Sequence, residues 1–255
     1  MELNIAYFYP DQLNLYGDTG NIETLVYRAK QRNINVNVLN VNLSTRIDSD
    51  VMSRINIIFM GGGPDSSQKL VYKDILENKG NYIKDFIEAG KVGLFVCGSY
   101  QLLGHYYKAA DGAVLNGLGV FDLYTEHFGN QKPRCIGNTM ADLDGSFTQD
   151  SLFRLVNHVG SSIVGFENHG GRTYLSKDST PFARVTKGHG NNSEDGTEGI
   201  HYKNSIGTYF HGPILAANPH LADYLIAKAL NLFDIKELND AFALSAFSAR
   251  TKLKE

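Results

Sequence analysis

The sequence has few of the features that mark secreted, membrane or nucleic-acid-binding proteins. Its 255 residues include no tryptophan and only two cysteines, Cys97 and Cys135, which form no CxxC pair and no disulfide framework. The longest apolar runs are far shorter than a membrane span, and the first residues lack the pattern of a secretion signal. The net charge is −3 and the 24 lysines and arginines are scattered, so there is no basic stripe to neutralise a phosphate backbone. We therefore expect a cytoplasmic protein with no transmembrane segment and no nucleic acid as a partner.

Motifs for two kinds of chemistry are also missing. No G-x-x-x-x-G-K-[ST] loop occurs, so any ATP chemistry is expected on another protein. None of the eight histidines stands in an H-E-x-x-H or other metal-ligand spacing, and we predict no metal site.

The first half of the chain has the pattern of strands that alternate with helices. The predicted strands are LNIAYFY (3–9), INVNVLNVNL (34–43), INIIFM (55–60) and KVGLFV (91–96). Thr19 is the predicted cap of the first helix. Such alternation implies right-handed crossovers, and hence an α/β fold with a central, mostly parallel sheet flanked by helices. Ligands of these sheets bind at the carboxyl ends of the strands.

The second half has shorter elements. After about residue 112, short strand-like runs with glycine-rich turns are expected to extend and cover one side of the same sheet. Residues 218–232 form a predicted helix, with Asn218 as its cap and Pro219 as its first residue. We predict one domain over residues 1–232 and a charged tail over residues 233–255, which is either helical or frayed.

Cys97 lies in LFVCGSYQLLGHYY (94–107), between an apolar run and a predicted helix. A strand, a sharp turn that bears the nucleophile and then a helix form a nucleophile elbow. A thiol at a helix N-terminus is favoured as the thiolate, and the N–H of Gly98 could face a developing oxyanion. Many cysteines, however, are buried as small hydrophobic side chains. This segment alone supports both interpretations equally.

Two further segments offer groups that such a thiol needs. In MGGGPD (60–65), the amides of Gly62 and Gly63 could form the other half of an oxyanion hole, although an isolated glycine cluster is more often a tight turn. In GTYFHGPIL, His211 follows a predicted strand and precedes Gly212-Pro213, which would fix the imidazole at the strand end. Histidine is the usual base for a thiol, but one histidine among eight is by itself a weak signal.

Polar residues elsewhere could bind a substrate or orient other groups. Arg134 has the planar fork that binds a carboxylate, although a lone arginine is more often a surface residue. In GFENHGGRTYL (165–175), Glu167, Asn168 and His169 could orient partners in a site, although a turn is the simpler explanation of this stretch. Cys135 has no helix start after it and is assigned to packing.

In combination, these segments resemble the class I glutamine amidotransferases, whose nucleophile motif is roughly G-x-C-x-G-x-Q. Here the motif is FVCGSYQ (95–101), in which Phe95 and Ser99 replace the outer glycines. GFENHGGRT and YFHGP are similar to the CobB/CobQ-type branch of that class. Five motifs in order resemble the glutaminase subunits of lipid II isoglutaminyl synthases along nearly the whole chain: LNLYGDTGN, GGGPD, LYTEHF, GFENHGGRTY and GTYFHGPIL.

This resemblance implies roles for the candidate residues. Cys97 would attack the side-chain amide of L-glutamine, His211 would activate the thiol, and Arg134 and Gln101 would bind the substrate. The oxyanion hole would comprise Gly62, Gly63 and Gly98. The ammonia released would pass to a MurT-like Mur-ligase subunit in a heterodimer. With ATP and Mg, that partner would amidate the D-glutamate α-carboxylate of lipid II to D-isoglutamine, and this chain itself would carry no cofactor.

One departure from the class I pattern concerns the acid that orients the histidine. Ordinary class I enzymes have a glutamate two residues after it, whereas Gly212 and Pro213 follow His211 here. Glu167 is the internal candidate for this role, and an acid of the partner subunit is the other.

Three alternative functions have to be weighed against this one. A non-catalytic amidotransferase-like binding module would not need Cys97, Gly98, Gln101 and His211 together. A stand-alone cysteine hydrolase would need neither glutamine nor a partner. A corrinoid-type amidase fuses an ATP-using domain to the glutaminase, and 255 residues leave no room for both.

Overall fold

A computed structural model describes residues 1–156 and 159–252, so the last three residues of the predicted tail lie outside the described part. The strands in chain order are β1 (Glu2–Phe8), β2 (Asn35–Val41), β3 (Ile57–Met60), β4 (Val92–Val96), β5 (Tyr106–Lys108), β6 (Val114–Asn116), β7 (Leu123–His127), β8 (Cys135–Leu143), β9 (Ser162–His169), β10 (Gly171–Leu175), β11 (Ala183–Lys187), β12 (Thr197–Glu198), β13 (Ile200–Tyr202) and β14 (Ser205–Thr208).

The helices lie mostly between the strands of the first half and after β14. They are α1 (Thr19–Lys30), α2 (Ser49–Arg54), α3 (Asp65–Asp74), α4 (Gly80–Glu88), α5 (Gly98–Leu102), α6 (Gly145–Thr148), α7 (Ser151–Val156), α8 (Ile214–Ala217), α9 (Pro219–Ala229) and α10 (Ala241–Arg250). A π-helical turn, Ile75–Lys79, joins α3 to α4.

The central sheet has the strand order β13-β14-β4-β3-β1-β2. Every neighbouring pair is parallel except β13 with β14, which is antiparallel. All residues of β3 and β4 are buried, because helices cover both faces of the sheet there. The prediction of an α/β fold with a central, mostly parallel sheet is confirmed.

The second half of the chain departs from the prediction that its strands extend one sheet. Only β13 and β14 join the central sheet. The other strands form two separate four-stranded sheets, β10-β7-β5-β6 and β12-β11-β8-β9. That expectation was wrong because an alternating pattern shows that a strand has one buried face but does not specify its neighbours.

The cap of α1 also differs from the prediction. Asp18 precedes the helix and Thr19 is its first residue, and the Asp18 side chain makes no capping hydrogen bond. Its carboxylate instead accepts a hydrogen bond from the N–H of Gly62 at 2.8 Å. Asp18 therefore faces the carboxyl edge of the sheet rather than its own helix.

The central sheet separates two apolar cores, since successive residues of a strand point to opposite faces. Ile5 and Tyr7 of β1 belong to the core that α1 and α9 cover. Ala6 and Phe8 belong to the core beneath α3, α4 and α5. Both faces of the sheet are thus held by helices.

The C-terminal segment is tied to α1 by buried ion pairs. Arg28 donates to both carboxylate oxygens of Asp223, at 2.6 Å each, and to both oxygens of Asp240, at 2.7 Å each. Phe247 of α10 is buried against α8 and β9. No helix within residues 1–156 or 159–252 is long and apolar enough to cross a membrane.

Gly20 permits a close contact between α1 and the turn after His211. A Cβ built on Gly20 would lie 2.3 Å from Cγ of Pro213. We expect Gly20→Ala to lower the free energy of unfolding by about 1–3 kcal/mol, because overpacking forces these segments apart. Urea denaturation measures the change. Gly145→Ala is the control, since its Cβ would meet Gln149 at an ordinary 3.5 Å, and equal stabilities of the two variants would contradict the close contact.

Candidate active site

The candidate site lies where four neighbouring strands of the central sheet end. The segment after β1 leads to Asp18, β3 is followed by the three glycines 61–63, β4 by Cys97, and β14 by His211. Because β1, β3, β4 and β14 are parallel neighbours, their carboxyl ends share one edge. Residues far apart in sequence therefore meet there.

Cys97 occupies a sharp, strained turn between β4 and α5. Its φ of 54° and ψ of −108° are unusual for a residue with a side chain. Its N–H donates to the carbonyl of Thr208 at 2.8 Å, which extends the pairing of β4 with β14 by one residue. The side chain is partly exposed and lines a cavity. This is the elbow geometry that the sequence predicts.

His211 is fully buried and is held by its backbone and its ring. Its N–H donates to the carbonyl of Phe166 in β9 at 2.7 Å, and its carbonyl accepts from the Phe166 N–H at 3.2 Å. On the ring, Nδ1 lies 3.4 Å from Oδ1 of Asp18, and the Tyr16 ring packs edge-on at a centroid distance of 4.5 Å. Nε2 is buried and has no hydrogen-bond partner among the described residues.

The electrostatics of His211 favour the imidazolium. Burial by itself would lower the pKa of the ring, but the negative charge of Cys97 and the hydrogen bond to Asp18 raise the pKa to about 10. At neutral pH the ring of His211 is therefore protonated, beside Cys97.

Gly62 lies between the two candidate catalytic side chains. A Cβ built on it would be 3.0 Å from Cβ of Cys97 and 3.0 Å from Cε1 of His211, so a side chain there would press on both residues. Its N–H donates to Oδ2 of Asp18 and is not available to an oxyanion. The expectation that Gly62 donates in the oxyanion hole was therefore wrong.

The amides of Gly63 and Gly98 remain as candidates for that hole. Neither N–H has a recorded acceptor among the described residues. Gly63 lines the same cavity as Cys97, and Gly98 directly follows Cys97 in the chain. Gly98 is the first residue of α5, where a backbone N–H has no partner within the helix.

The cavity has a volume of about 280 Å³ and is open at one side. Its wall includes Cys97, Gln101, Arg134, Asn168 and His169 together with Tyr16, Gly63, Tyr107 and His127. Arg134 is exposed at the mouth, where its Nη2 donates to Oδ1 of Asn168 at 2.9 Å. Gln101 lies deeper, and its Nε2 donates to the Tyr209 hydroxyl at 2.9 Å. The cavity thus brings both predicted substrate-binding residues beside Cys97.

Glu167 does not contact His211, so the prediction that it orients the ring was wrong. Its buried carboxylate accepts hydrogen bonds from the N–H groups of His189 at 2.6 Å and Gly190 at 2.9 Å. Its nearest ring nitrogen is Nε2 of His169, at 3.8 Å. The acid beside His211 is Asp18.

Glu198 lies beneath the strand that delivers His211. Its Oε1 accepts from the Thr208 hydroxyl at 2.6 Å and from the Tyr209 N–H at 2.8 Å, and the side chain is fully buried. Burial raises the pKa of this carboxyl to about 8. Glu198 is therefore largely neutral at pH 7 and ties the end of β14 in place.

Cys135 has the environment of a packing residue. It is buried, its Sγ lies 3.3 Å from the Ser193 hydroxyl, and burial raises the pKa of its thiol. A buried thiol with a raised pKa is a poor nucleophile.

Asp18 and Tyr16 are site residues that no sequence pattern singled out. Both lie in LNLYGDTGN, the segment that follows β1. Ligands bind at the carboxyl ends of parallel strands, and this rule applies to β1 as it does to β3 and β4. The position of the segment after β1 was therefore a signal for both residues.

The fold is that of the class I glutamine amidotransferases, with Cys97 at the turn after β4 and His211 after the neighbouring strand β14. A solved glutamine amidotransferase superposes with a TM-score of 0.57 at 15% identity, over 88% of this chain and 98% of that chain. This similarity shows the fold alone.

The family follows from sequence comparisons. The model of the CobB/CobQ-like glutamine amidotransferase domain matches residues 4–219. The GatD subunit of a glutamine-hydrolysing lipid II isoglutaminyl synthase from Staphylococcus aureus (strain N315) is 44% identical over 249 residues, 96% of this chain and 93% of that protein. Its counterpart from Streptococcus pneumoniae (strain ATCC BAA-255 / R6) is 40% identical over 232 residues, 90% and 81% respectively. This chain belongs to the CobB/CobQ-like glutamine amidotransferase family.

Glu198 should make stability depend on pH. Because its pKa is raised from 4.5 to about 8 on folding, the folded state binds more protons than the unfolded state between these values. The free energy of unfolding should fall as the pH rises through this window, by up to about 1.4 kcal/mol per pH unit. Glu198→Gln should remove this contribution, which urea denaturation at about pH 5 and about pH 8 would detect. The exposed Glu23→Gln is the control, and an unchanged pH dependence in Glu198→Gln would contradict the assignment.

Proposed function

We propose that this chain is the glutamine-hydrolysing subunit of a lipid II isoglutaminyl synthase. The observation that carries the proposal is the placement of Cys97 and His211 on either side of Gly62, at a small cavity that Arg134 also lines. The names of the relatives from S. aureus and S. pneumoniae support the same function.

In the first half of the proposed reaction, the Cys97 thiolate attacks the side-chain amide carbon of L-glutamine. A C–S bond forms, and the carbonyl oxygen becomes an oxyanion that the amides of Gly63 and Gly98 can receive. His211, already protonated, gives its proton to the leaving nitrogen. The C–N bond breaks, which leaves a thioester on Cys97 and releases ammonia.

In the second half, water cleaves the thioester. The now neutral His211 takes a proton from the attacking water, and the C–S bond breaks to release glutamate and restore the thiolate–imidazolium pair. The sum is glutamine plus water to glutamate, ammonia and one proton, which the new carboxyl group loses. Each proton taken by His211 is thus returned within one cycle.

Arg134 and Gln101 are the proposed substrate-binding residues. The Arg134 guanidinium at the mouth suits the α-carboxylate of glutamine, because its planar fork can donate two parallel hydrogen bonds. Gln101 lies next to Cys97 in the cavity wall. A cavity of about 280 Å³ suits a ligand the size of one amino acid.

The ammonia is proposed to pass to a MurT-like Mur-ligase subunit that forms a heterodimer with this chain. The partner would use ATP and Mg to activate the D-glutamate α-carboxylate of lipid II, and ammonia would convert it to D-isoglutamine. A reaction that consumes ATP belongs to the cytoplasm. The word subunit in the names of both relatives supports a partner.

Arg134→Lys should impair glutamine use although the charge remains. An ammonium cannot reproduce the fork, and the loss of one charge-assisted hydrogen bond, about 1.5–3 kcal/mol, corresponds to a rise in KM of roughly 10- to 100-fold with little change in kcat. Glutamate release measures both constants. Arg184→Lys, on the exposed side of β11, is the control, and an unchanged KM in Arg134→Ala would make Arg134 a surface residue.

Glutamine hydrolysis and lipid II amidation should be separable in the complex. With Cys97→Ser, amidation with glutamine should be lost, because the thioester cannot form at a useful rate. A high concentration of ammonium, at a pH that leaves some free NH₃, should restore amidation in the presence of ATP. Mass spectrometry of lipid II gives the readout.

The control for this experiment is Cys135→Ser, which should keep the glutamine-dependent rate because its thiol is buried away from the cavity. Amidation with glutamine by the Cys97→Ser complex would rule out Cys97 as the nucleophile. If ammonium does not rescue an intact complex that still hydrolyses ATP, the proposed division of labour is wrong.

A further inference from the structure

Asp18 is a fully buried carboxylate whose two oxygens contact two different parts of the site. Oδ1 lies 3.4 Å from Nδ1 of His211, and Oδ2 accepts the Gly62 N–H at 2.8 Å. A buried carboxylate is costly unless such partners compensate it. The glycine loop and the imidazole are therefore held against one side chain.

No other acid is available to the ring within the described residues. Gly212 and Pro213 follow His211 in the chain, and the Glu167 carboxylate is used by the amides of His189 and Gly190. Glu198 is buried beneath β14 and bonded to Thr208 and Tyr209. Asp18 is therefore the acid that contacts Nδ1 of His211.

We propose that Asp18 is the positioning residue of His211: it fixes the tautomer of the imidazole and locks the ring to the glycine loop beside Cys97. This inference rests on the proposed roles of Cys97 and His211 in glutamine hydrolysis. It makes the orienting acid part of this chain, so that the partner subunit is not needed to supply one.

The chemistry of the carboxylate sets the tautomer. An ionised aspartate can only accept hydrogen bonds, so the Nδ1 that faces it has to carry a proton. Nε2 of a neutral ring is then the nitrogen with a lone pair, and it is the nitrogen that Asp18 leaves open. That nitrogen can take a proton from the thiol or from water.

The fold brings Asp18 to this place through the start of α1. The side chain of Asn14 accepts the Thr19 N–H at 2.9 Å, which fixes the turn before the helix. Gly20 allows α1 to approach Pro213, two residues after His211. Arg28, further along α1, is locked to Asp223 of α9.

The groups that face His211 also predict a pH signature. They are Cys97 from the elbow, Asp18 and Tyr16 from the segment after β1, and Glu198 from below. Loss of the Asp18 charge lowers the pKa of His211 and weakens its pairing with the thiolate. Alkylation of Cys97 should then need a higher pH.

The test is Asp18→Asn in the full chain and in the complex with the partner. Asparagine keeps one acceptor for Gly62 but offers an N–H₂ group to Nδ1, which moves the ring proton to Nε2. We expect kcat for glutamine hydrolysis to fall by about 10²-fold or more, with a smaller change in KM. In a Cys135→Ser background, the midpoint of iodoacetamide alkylation should move to higher pH by about one unit.

Matched variants separate this inference from the proposed function. Asp11→Asn changes an exposed aspartate of the same segment and should leave kcat and the alkylation profile unchanged. Cys97→Ala should be inactive. If Asp18→Asn keeps wild-type kcat and alkylation while Cys97→Ala is dead, Asp18 has no positioning role and the proposed function stands. If Cys97→Ala is active, the proposed function itself falls.

The activity of Asp18→Asn in the complex decides whether Asp18 or an acid of the partner subunit orients His211. If the partner supplied the acid, Asp18→Asn would be as active as the wild type in the complex, and that result would overturn the proposal. A deficit that persists in the complex supports Asp18.

A measurement without an Asp18 variant guards against misfolding. In the Cys97→Ala chain with ¹⁵N-labelled histidine, the His211 ring should be neutral at high pH and carry its proton on Nδ1. NMR shifts of the ring nitrogens report this tautomer, and a Cys97→Ala/His211→Gln chain identifies the signals. A proton on Nε2 instead would contradict the role of Asp18.

Discussion

The parallel pairing of β1, β3, β4 and β14 is the constraint on which the site depends. None of these strands carries the chemistry itself; each ends where a short segment turns toward the same edge. The hydrogen bond from Cys97 to the Thr208 carbonyl continues this pairing into the elbow. The backbone strain at Cys97, of order 1–3 kcal/mol, persists because the flanking strand and helix are both buried.

The two smaller sheets complete the site rather than merely covering it. β9 fixes the backbone of His211 through Phe166, and Thr173 of β10 shares a 2.6 Å hydrogen bond with the Tyr209 hydroxyl. The same hydroxyl accepts a hydrogen bond from Nε2 of Gln101, which lies on α5. The His169 ring stacks on Tyr209 at a centroid distance of 3.6 Å. Side chains from α5, β9 and β10 thus converge on one buried tyrosine, which makes the cavity wall rigid.

The sequence reveals those parts of this structure that depend on local pattern. Buried runs such as 55–60 and 91–96 predict central strands, and a cysteine between such a run and a helix predicts an elbow. Pattern does not determine which antiparallel strands pair, so the partition into three sheets could not be derived. Sequence pattern also does not show that the N–H of Gly62 donates a hydrogen bond to a carboxylate. The acid beside His211 lies 193 residues away in sequence, and only the strand order makes it a neighbour.

Three buried acids, Asp18, Glu167 and Glu198, lie in or near the site, and the environment of each is different. Asp18 contacts the ring, backbone amides satisfy Glu167, and burial keeps Glu198 largely neutral near pH 7. This arrangement follows from charge balance, because Asp18 already places one carboxylate against the ring of His211. A charge on Glu198 would add a second carboxylate to a buried region that screens charge poorly. The neutral Glu198 can hold the end of β14 by hydrogen bonds without adding a charge beneath His211.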